Sequence, residues 1–192
     1  MPGSKNTIAD LRLLQTSGLA TAITQAYHAG KTVVGICGGY QMLGRSVEDP
    51  DGVEGAVPAA AGLGLLPVRT VLEGEKTTQQ RRFAFRGAAT ADCQGYEIHM
   101  GRTTVEGPPQ PVATLDDDTP DGYFAGPRCW GTYLHGILDN PAVVEALLAP
   151  HTRQAAPEPV DFAHFKDQQY DRLAALIREN VDLPQIYAAL HP

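Results

Sequence analysis

Hydrophobic and polar positions near the start of the chain follow helical and extended patterns in turn. Apolar positions at helical spacing begin after Thr7, the predicted N-cap residue, and again at Ser17, and the second segment ends at Gly30. A β-branched run at 32–36 follows and is typical of a strand buried on both faces. A brief helical pattern at 40–43 comes next. Helix, strand and helix in this order predict a parallel α/β sheet.

The pattern changes from helical to alternating in the middle of the chain. A polar loop rich in Gly, Pro and Ala is predicted at 48–62. The alternating segments 63–72, 82–86 and 95–100 predict successive antiparallel strands. The Pro- and Asp-rich segment 107–122 predicts an exposed loop.

The last third combines one strand with helices. The segment 129–135 predicts a strand that ends at a histidine and a glycine, and Asp139 or Asn140 is the predicted cap of a helix that follows. A linker is predicted at 151–160, and the remainder is predicted to be helical. We expect these last helices to cover the sheet or to dock on a partner. Their apolar stripe consists of Phe162, Phe165, Leu173, Leu176 and Ile177.

Composition and charge narrow the class of protein. A chain of 192 residues with 43% hydrophobic residues suits one domain with a substantial core. The net charge of −7 argues against non-specific binding to nucleic acid or to anionic membranes. Three cysteines do not describe a disulfide framework, and no apolar run approaches the ~20 residues of a membrane span. These features together predict a cytoplasmic protein.

The strand at 32–36 ends in the sequence Gly-Ile-Cys-Gly-Gly, with Cys37 at its centre. A nucleophile between glycines at a strand-to-helix turn adopts a strained backbone conformation that lifts its side chain clear of the sheet. The sulfur then lies at the helix N-terminus, where N–H groups and the helix dipole favour a thiolate. The alternative is that Cys37 is a small buried residue before a turn. The flanking glycines favour the nucleophile.

A thiol nucleophile requires a base, and two histidines compete for this role. His135 ends a strand before a glycine, at the sheet edge where Cys37 is also expected. His99 shares one face of its predicted strand with Glu97, so these two residues form an alternative acid/base pair or a supporting group. Because the sequence offers no further ligand at the spacing of a metal site, no metal is expected.

The oxyanion of a tetrahedral intermediate needs two backbone donors. The N–H of Gly38 follows the nucleophile and supplies one. The glycine loop at Gly3 and Ser4, ahead of the first helix, is the natural second.

Four motifs in the right order resemble the C-terminal glutamine amidotransferase domain of the cobyric acid synthase family. They are PGSKNTIADL at 2–11, GICGGYQMLG at 35–44, GYEIHMGR at 95–102 and GTYLHG at 131–136. The resemblance extends from residue 2 to about residue 148 and continues more weakly to the end. It implies an α/β, flavodoxin-like class I glutamine amidotransferase fold of three layers, forming one domain over residues 1–192.

The resemblance also implies an activity and its residues. Cys37 would attack the side-chain amide of glutamine, form a γ-glutamyl thioester and release ammonia, with His135 as general base and acid. Gly3 and Gly38 would form the oxyanion hole, and Gln41 would contact the bound glutamine. No cofactor is expected in this chain. In the family, ammonia passes to an N-terminal synthetase domain that uses ATP and Mg²⁺ to amidate adenosylcobyrinic acid a,c-diamide in cobalamin biosynthesis.

The chain departs from the family pattern at two places. Ile137 stands where many class I glutaminases have Glu, which leaves either a Cys-His dyad or a third group such as Glu97. The synthetase domain, its phosphate loop and the strand expected before Pro2 are not in these residues, so a truncated chain is expected.

Three other functions remain as alternatives. They are a glutaminase subunit of another amidotransferase of the cell-wall lipid amidation type, a small thiol peptidase, and an inactive truncated remnant. The motif at 95–102 favours the cobyric acid synthase family over the first two of them.

Overall fold

The structure, a computed structural model, describes residues 1–86, 93–151 and 162–190. Its helices are α1 (Thr7–Thr16), α2 (Leu19–His28), α3 (Gly38–Leu43), α4 (Pro141–Leu148), α5 (Phe162–Asn180) and α6 (Leu183–Leu190), with a 3-10 turn at Ile137–Asp139. Its strands are β1 (Val33–Ile36), β2 (Ser46–Glu48), β3 (Ala59–Ala61), β4 (Val68–Phe85), β5 (Cys93–Val105), β6 (Ala113–Leu115), β7 (Pro120–Asp121), β8 (Tyr123–Gly126), β9 (Cys129–Thr132) and β10 (Leu134–His135). The chain divides into two compact units, Met1–Ala156 and Pro157–Pro192.

A small sheet in the order β1-β9-β8 carries the segment that leads to Cys37. β1 and β9 are parallel, as the sequence predicts, and β8 is antiparallel to β9. Met1 adds one residue of pairing at the other edge of β1, because its amine donates to the Val34 carbonyl (2.6 Å) and its carbonyl accepts from the Ile36 N–H (3.0 Å). This pairing fixes the start of the chain beside the end of β1.

A larger sheet in the order β10-β5-β4-β2-β3 supplies the opposite wall of the same region. Its centre is the long antiparallel pair β4–β5, with an irregularity between Val71 and Lys76. The two-residue strand β10 pairs with β5, so that Leu134 lies opposite Glu97 and His135 lies opposite Tyr96. This register brings the end of β10 to the middle of β5.

Helix α3 packs directly on the small sheet because glycines allow a close approach. A Cβ on Gly131 of β9 would lie 2.3 Å from the Tyr40 ring, so no larger residue fits there. In the part of the chain that the structure describes, buried apolar side chains form three clusters around this packing, and they include Leu11, Leu43 and Trp130. The hydrophobic core therefore surrounds the turn between β1 and α3.

Short strands lie where the sequence pattern predicts loops. The predicted loop at 48–62 ends in β3, which forms a hairpin with β2, and the predicted loop at 107–122 contains β6 and β7. The predicted strand at 63–72 begins only at Val68, and β4 then continues without a break through the separate strand predicted at 82–86. These short strands are held by pairing with other strands, namely β3 with β2, β7 with β6 and β6 with β4, rather than by a hydrophobic pattern of their own.

Two helix caps also differ from the prediction. The side chain of Asn6, not of Thr7, accepts the N–H of Ala9 at the start of α1. The second helix has Gly18, in a left-handed conformation, as its N-cap residue instead of Ser17. The predicted linker at 151–160 falls, except for residue 151, outside the described residues.

The second unit contains the predicted terminal helices α5 and α6. The predicted apolar stripe on α5 is largely exposed, with Leu173 and Leu176 more than half exposed. None of the helices in the described residues is both long and apolar enough to span a membrane.

Candidate active site

Cys37 occupies the tight turn between β1 and α3, as the flanking glycines predict. Its backbone lies at φ 55° and ψ −118°, a region that L residues rarely adopt. A Cβ on Gly35 would lie 2.6 Å from the Gly39 carbonyl oxygen, and one on Gly39 would lie 2.2 Å from the Met1 carbonyl oxygen. Both positions therefore need glycine for the turn to form.

His135 lies next to this turn, across a gap that Gly3 borders. A Cβ on Gly3 would lie 3.6 Å from the Cys37 Sγ and 3.4 Å from the His135 Cε1. The Nε2 atom of His135 is buried and has no hydrogen-bond partner among the described residues. An unpaired buried ring nitrogen is costly, and such groups are common where a reacting group has yet to bind.

The predicted oxyanion donors are adjacent to the same gap. The N–H of Gly38 acts on the Cys37 sulfur and lowers the pKa of the thiol. A Cβ on Gly38 would lie 2.8 Å from the Ser4 nitrogen, so the loop at 3–4 packs closely against the start of α3. Two backbone segments thus lie close to the sulfur, and the role of their N–H groups as an oxyanion hole stays a prediction.

The environment of Cys37 favours the neutral thiol in the resting chain. Burial raises the pKa of the thiol above its usual value, the N–H of Gly38 opposes this, and the charge of Glu54 adds to the increase. The thiol donates a hydrogen bond to the Ile98 carbonyl on β5 (3.3 Å). Because only 8% of Cys37 is exposed, water does not offset these effects, and nucleophilic attack requires a base.

Gln41 is held in a buried network of hydrogen bonds below the thiol. Its Nε2 donates to the Met100 carbonyl (3.0 Å) and to the Tyr133 hydroxyl oxygen (3.1 Å), and its Oε1 accepts from the Thr7 hydroxyl (3.2 Å). The Tyr133 hydroxyl also bonds to Thr103, and burial raises the pKa of Tyr133 to about 12. The network joins α1, α3, β5 and Tyr133, which lies between β9 and β10, and a contact of Gln41 with glutamine stays a prediction.

Glu97 interacts with both His99 and Arg81, and none of these interactions reaches Cys37 or His135. Arg81 donates to Glu97 at 2.6 Å, and the His99 Nε2 lies 3.4 Å from the other Glu97 oxygen. Within the described residues, no contact joins Glu97 to His135. A cavity of about 480 Å³ borders Glu97, His99 and Tyr133, and neither Cys37 nor His135 lines it. The possible supporting role of this pair at Cys37 therefore has no contact behind it.

Metal binding was considered for the His, Cys, Asp and Glu side chains of the described residues. Among them, no group of three His, Cys, Asp or Glu side chains is arranged to hold a metal ion.

Tyr96 is a neighbour of His135 that the sequence reasoning did not single out. Its ring stacks on the imidazole with 5.1 Å between the ring centroids and 9° between the planes. The alternation along the strand places Tyr96 on the face opposite Glu97 and His99. Its partner depends on the register of β10, which no local pattern specifies.

Comparison with known proteins gives a consistent result. Residues 1–143 match the family profile described as "CobB/CobQ-like glutamine amidotransferase domain". The chain is 55% identical over 193 residues to a cobyric acid synthase of Parabacteroides distasonis, and 52% identical over 192 residues to one of Bacteroides fragilis. Each match covers 99% of this chain and 39% of the relative. The chain thus spans about two fifths of the length of the curated relatives it matches.

A solved structure titled "Crystal structure of glutamine amidotransferase" shares the fold. It aligns with a TM-score of 0.56 over 77% of this chain and 75% of its own, at 16% sequence identity. The predicted α/β fold of the class I glutamine amidotransferase type is therefore confirmed.

Proposed function

Because this chain belongs to the family of CobB/CobQ-like glutamine amidotransferase domains, we propose that it hydrolyses glutamine with Cys37 as nucleophile and His135 as base. The observation that supports this most directly is the gap above Gly3, which both the Cys37 sulfur and the His135 ring border. The strained backbone of Cys37 and the unpaired, buried Nε2 of His135 add to it. Family membership makes the chain an enzyme component, and the residue roles are our proposal.

The reaction begins when His135 takes the proton of the Cys37 thiol. The sulfur then bonds to the side-chain amide carbon of glutamine, and the carbonyl electron pair moves to the oxygen. The N–H groups of Gly38 and Gly3 bind this oxyanion, and each such donor contributes about 3 kcal/mol to transition-state stabilisation. Gln41 contacts the bound glutamine through the free lone pair of its Oε1 atom.

The intermediate collapses with cleavage of the carbon–nitrogen bond. His135 returns its proton to the nitrogen, which leaves as ammonia, and a γ-glutamyl thioester remains on Cys37. Water, deprotonated by His135, attacks the thioester and releases glutamate with a restored thiol. The thiol's raised pKa requires this base at neutral pH.

We further propose that the ammonia serves an ATP-dependent amidation. The relatives named cobyric acid synthase are about two and a half times as long as this chain, which matches 39% of their length. In a complete enzyme of this kind, a synthetase domain would use ATP and Mg²⁺ to activate carboxylates of adenosylcobyrinic acid a,c-diamide. Ammonia released at Cys37 would then form the amides.

The direct test offers the chain glutamine and, separately, the electrophilic analogue diazo-oxo-norleucine. We expect ammonia release, and a covalent adduct on Cys37 in peptide mass spectrometry. Cys37→Ser should lower the rate of ammonia release by about 10⁴-fold, since loss of a catalytic nucleophile has effects of this order.

Cys93→Ser and Cys129→Ser are the matched controls, because these cysteines are buried in β5 and β9. Both should retain the wild-type rate and label. An adduct on either of them, or ammonia release that survives Cys37→Ser, contradicts the proposed function.

A further inference from the structure

Among the described residues, no carboxylate forms an ion pair with the imidazole of His135 of the kind that orients a catalytic histidine. Ile137 stands two residues further on, and the hydrogen bonds of Glu97 go to Arg81 and His99. An imidazole without such a partner rotates about its Cβ–Cγ bond, so that its ring plane is not fixed relative to the thiol. Some other group therefore has to hold the ring plane.

Tyr96 is in the right position to do so. The β5–β10 register sets Tyr96 directly opposite His135, and the two rings lie nearly parallel, 9° apart in plane. Gly95 allows the backbones of β5 and β10 to approach closely, because a Cβ on Gly95 would lie 2.7 Å from the His135 carbonyl oxygen. This close approach brings the side chains of Tyr96 and His135 together.

We propose that Tyr96 is the positioning residue for His135 in the glutaminase reaction proposed above. Its ring face orients the imidazole, which is the function of the carboxylate in a catalytic triad. Tilting the imidazole out of its plane would break the stack, so the stack holds the ring plane in place beside the Cys37 turn. The electron-rich face of the phenol also stabilises the imidazolium that forms when His135 takes the thiol proton. Both effects act through His135, since Tyr96 itself does not need to touch the substrate.

The groups that titrate near His135 belong to several elements. Among the described residues they include the Cys37 thiol at the turn and the Tyr96 phenol on β5, with Glu54 acting on the thiol. The Asp139 carboxylate of the 3-10 turn lies 3.6 Å from the Cβ position of the neighbouring Gly136. Tyr96→Phe leaves all the others in place and keeps the ring, whereas Tyr96→Leu and Tyr96→Met remove the ring. The comparison of these variants therefore isolates the stacking face.

The experiment measures ammonia release from glutamine and the pH dependence of Cys37 alkylation by iodoacetamide. In Tyr96→Leu and Tyr96→Met we expect kcat to fall about tenfold with KM changed less than twofold, because a ring–ring contact of this kind is lost. The alkylation midpoint should move upward by about half a pH unit, because the imidazolium that forms together with the thiolate loses the stabilising ring face. Tyr96→Phe keeps the ring, so kcat and the ionisation constant of the thiol should stay within about twofold of wild type.

Thermal unfolding of each variant serves as the control for correct folding. Tyr170 is an exposed tyrosine of α5, and Tyr170→Leu is the matched control substitution. Since Tyr96 is 37% exposed, at least one of the two aliphatic variants should fold. A folded aliphatic variant with the wild-type kcat and alkylation profile overturns the proposal, as does a Tyr96→Phe variant impaired as strongly as Tyr96→Leu. Failure of the wild-type chain to release ammonia instead overturns the glutaminase function, while the alkylation profile still tests the stack.

Discussion

At the scale of single residues, the addition of one methyl group at Gly3 should strongly reduce the activity of the candidate site. In Gly3→Ala the new Cβ would meet Cys37 and His135 at distances of 3.4–3.6 Å, which are ordinary van der Waals contacts. The chain should therefore fold normally, with a free energy of unfolding within about 1 kcal/mol of wild type. The methyl group would nevertheless fill the gap where the glutamine amide must lie. We expect kcat/KM for glutamine to fall about 10²-fold in a coupled glutamate assay.

Gly74→Ala provides the control for Gly3→Ala. Nothing lies within 4 Å of a Cβ at Gly74, and its φ is not positive, so both stability and activity should be unchanged. Unaltered turnover in Gly3→Ala would show that the substrate does not occupy this gap.

Predictions for single residues were confirmed where the conformation depends only on neighbouring residues in the sequence. A nucleophile between glycines needs only its neighbours to form the turn, so the strained conformation of Cys37 could be predicted directly. The stack of Tyr96 on His135 joins residues 39 positions apart and depends on a strand register. The hydrogen bond of the Cys37 thiol to the Ile98 carbonyl depends on the same strand, β5, and was missed for the same reason.

At the scale of elements, the two-residue strand β10 depends on β5 for its position. Gly95→Ala should separate them, because its Cβ would lie 2.7 Å from the His135 carbonyl oxygen and 3.3 Å from the Phe83 ring. We expect a loss of about 1–3 kcal/mol in the free energy of unfolding by urea, as for other overpacked sites. Displacement of His135 should also lower kcat for glutamine about 10²-fold.

The same Gly74→Ala variant is a matched control for Gly95→Ala, because it lies in the same pair of long strands. An alanine at 95 that keeps both the wild-type stability and the wild-type kcat would mean that β10 does not need this close approach.

Element-scale prediction succeeded for helices and for buried strands and failed for short ones. The strands β3, β6 and β7 have two or three residues each, and their existence depends on pairing with partners elsewhere in the chain. β4 continues through the polar residues 73–80 because β5 pairs with it along most of that length. Hydrophobic alternation carries no information about such pairing.

At the scale of the whole molecule, Asp121 makes the stability of the chain depend on pH. Its side chain is almost fully buried and accepts hydrogen bonds from the Thr132 hydroxyl and the Tyr133 N–H. Burial raises the pKa of Asp121 from 3.8 to about 6. The folded chain thus binds this proton more tightly than the unfolded chain, and stability falls as the pH rises through the interval between those values.

Comparison with Asp121→Asn isolates this contribution from the other carboxylates. Relative to the variant, the free energy of unfolding of the wild type should fall by roughly 2 kcal/mol between pH 4.5 and pH 7.5, measured by urea unfolding. A difference between the two proteins that stays constant over this range would mean that Asp121 titrates normally.

Whole-molecule organisation was predictable only in part. The order of four motifs was sufficient for the family, since each motif forms a local turn or strand of the site. The prediction of one domain over residues 1–192 stays a prediction, because the chain separates into Met1–Ala156 and Pro157–Pro192 by internal contacts.

Because all three cysteines are buried, the reactivity of their sulfhydryls indicates whether the chain is folded. Cys93 and Cys129 are 3% and 2% exposed, and burial raises the pKa of Cys129 to about 11, so neither should react with a chromogenic disulfide while the chain is folded. Denaturation releases every sulfhydryl at once. A simple absorbance titration of accessible sulfhydryls therefore distinguishes correctly folded preparations from misfolded ones before any enzymatic assay is attempted.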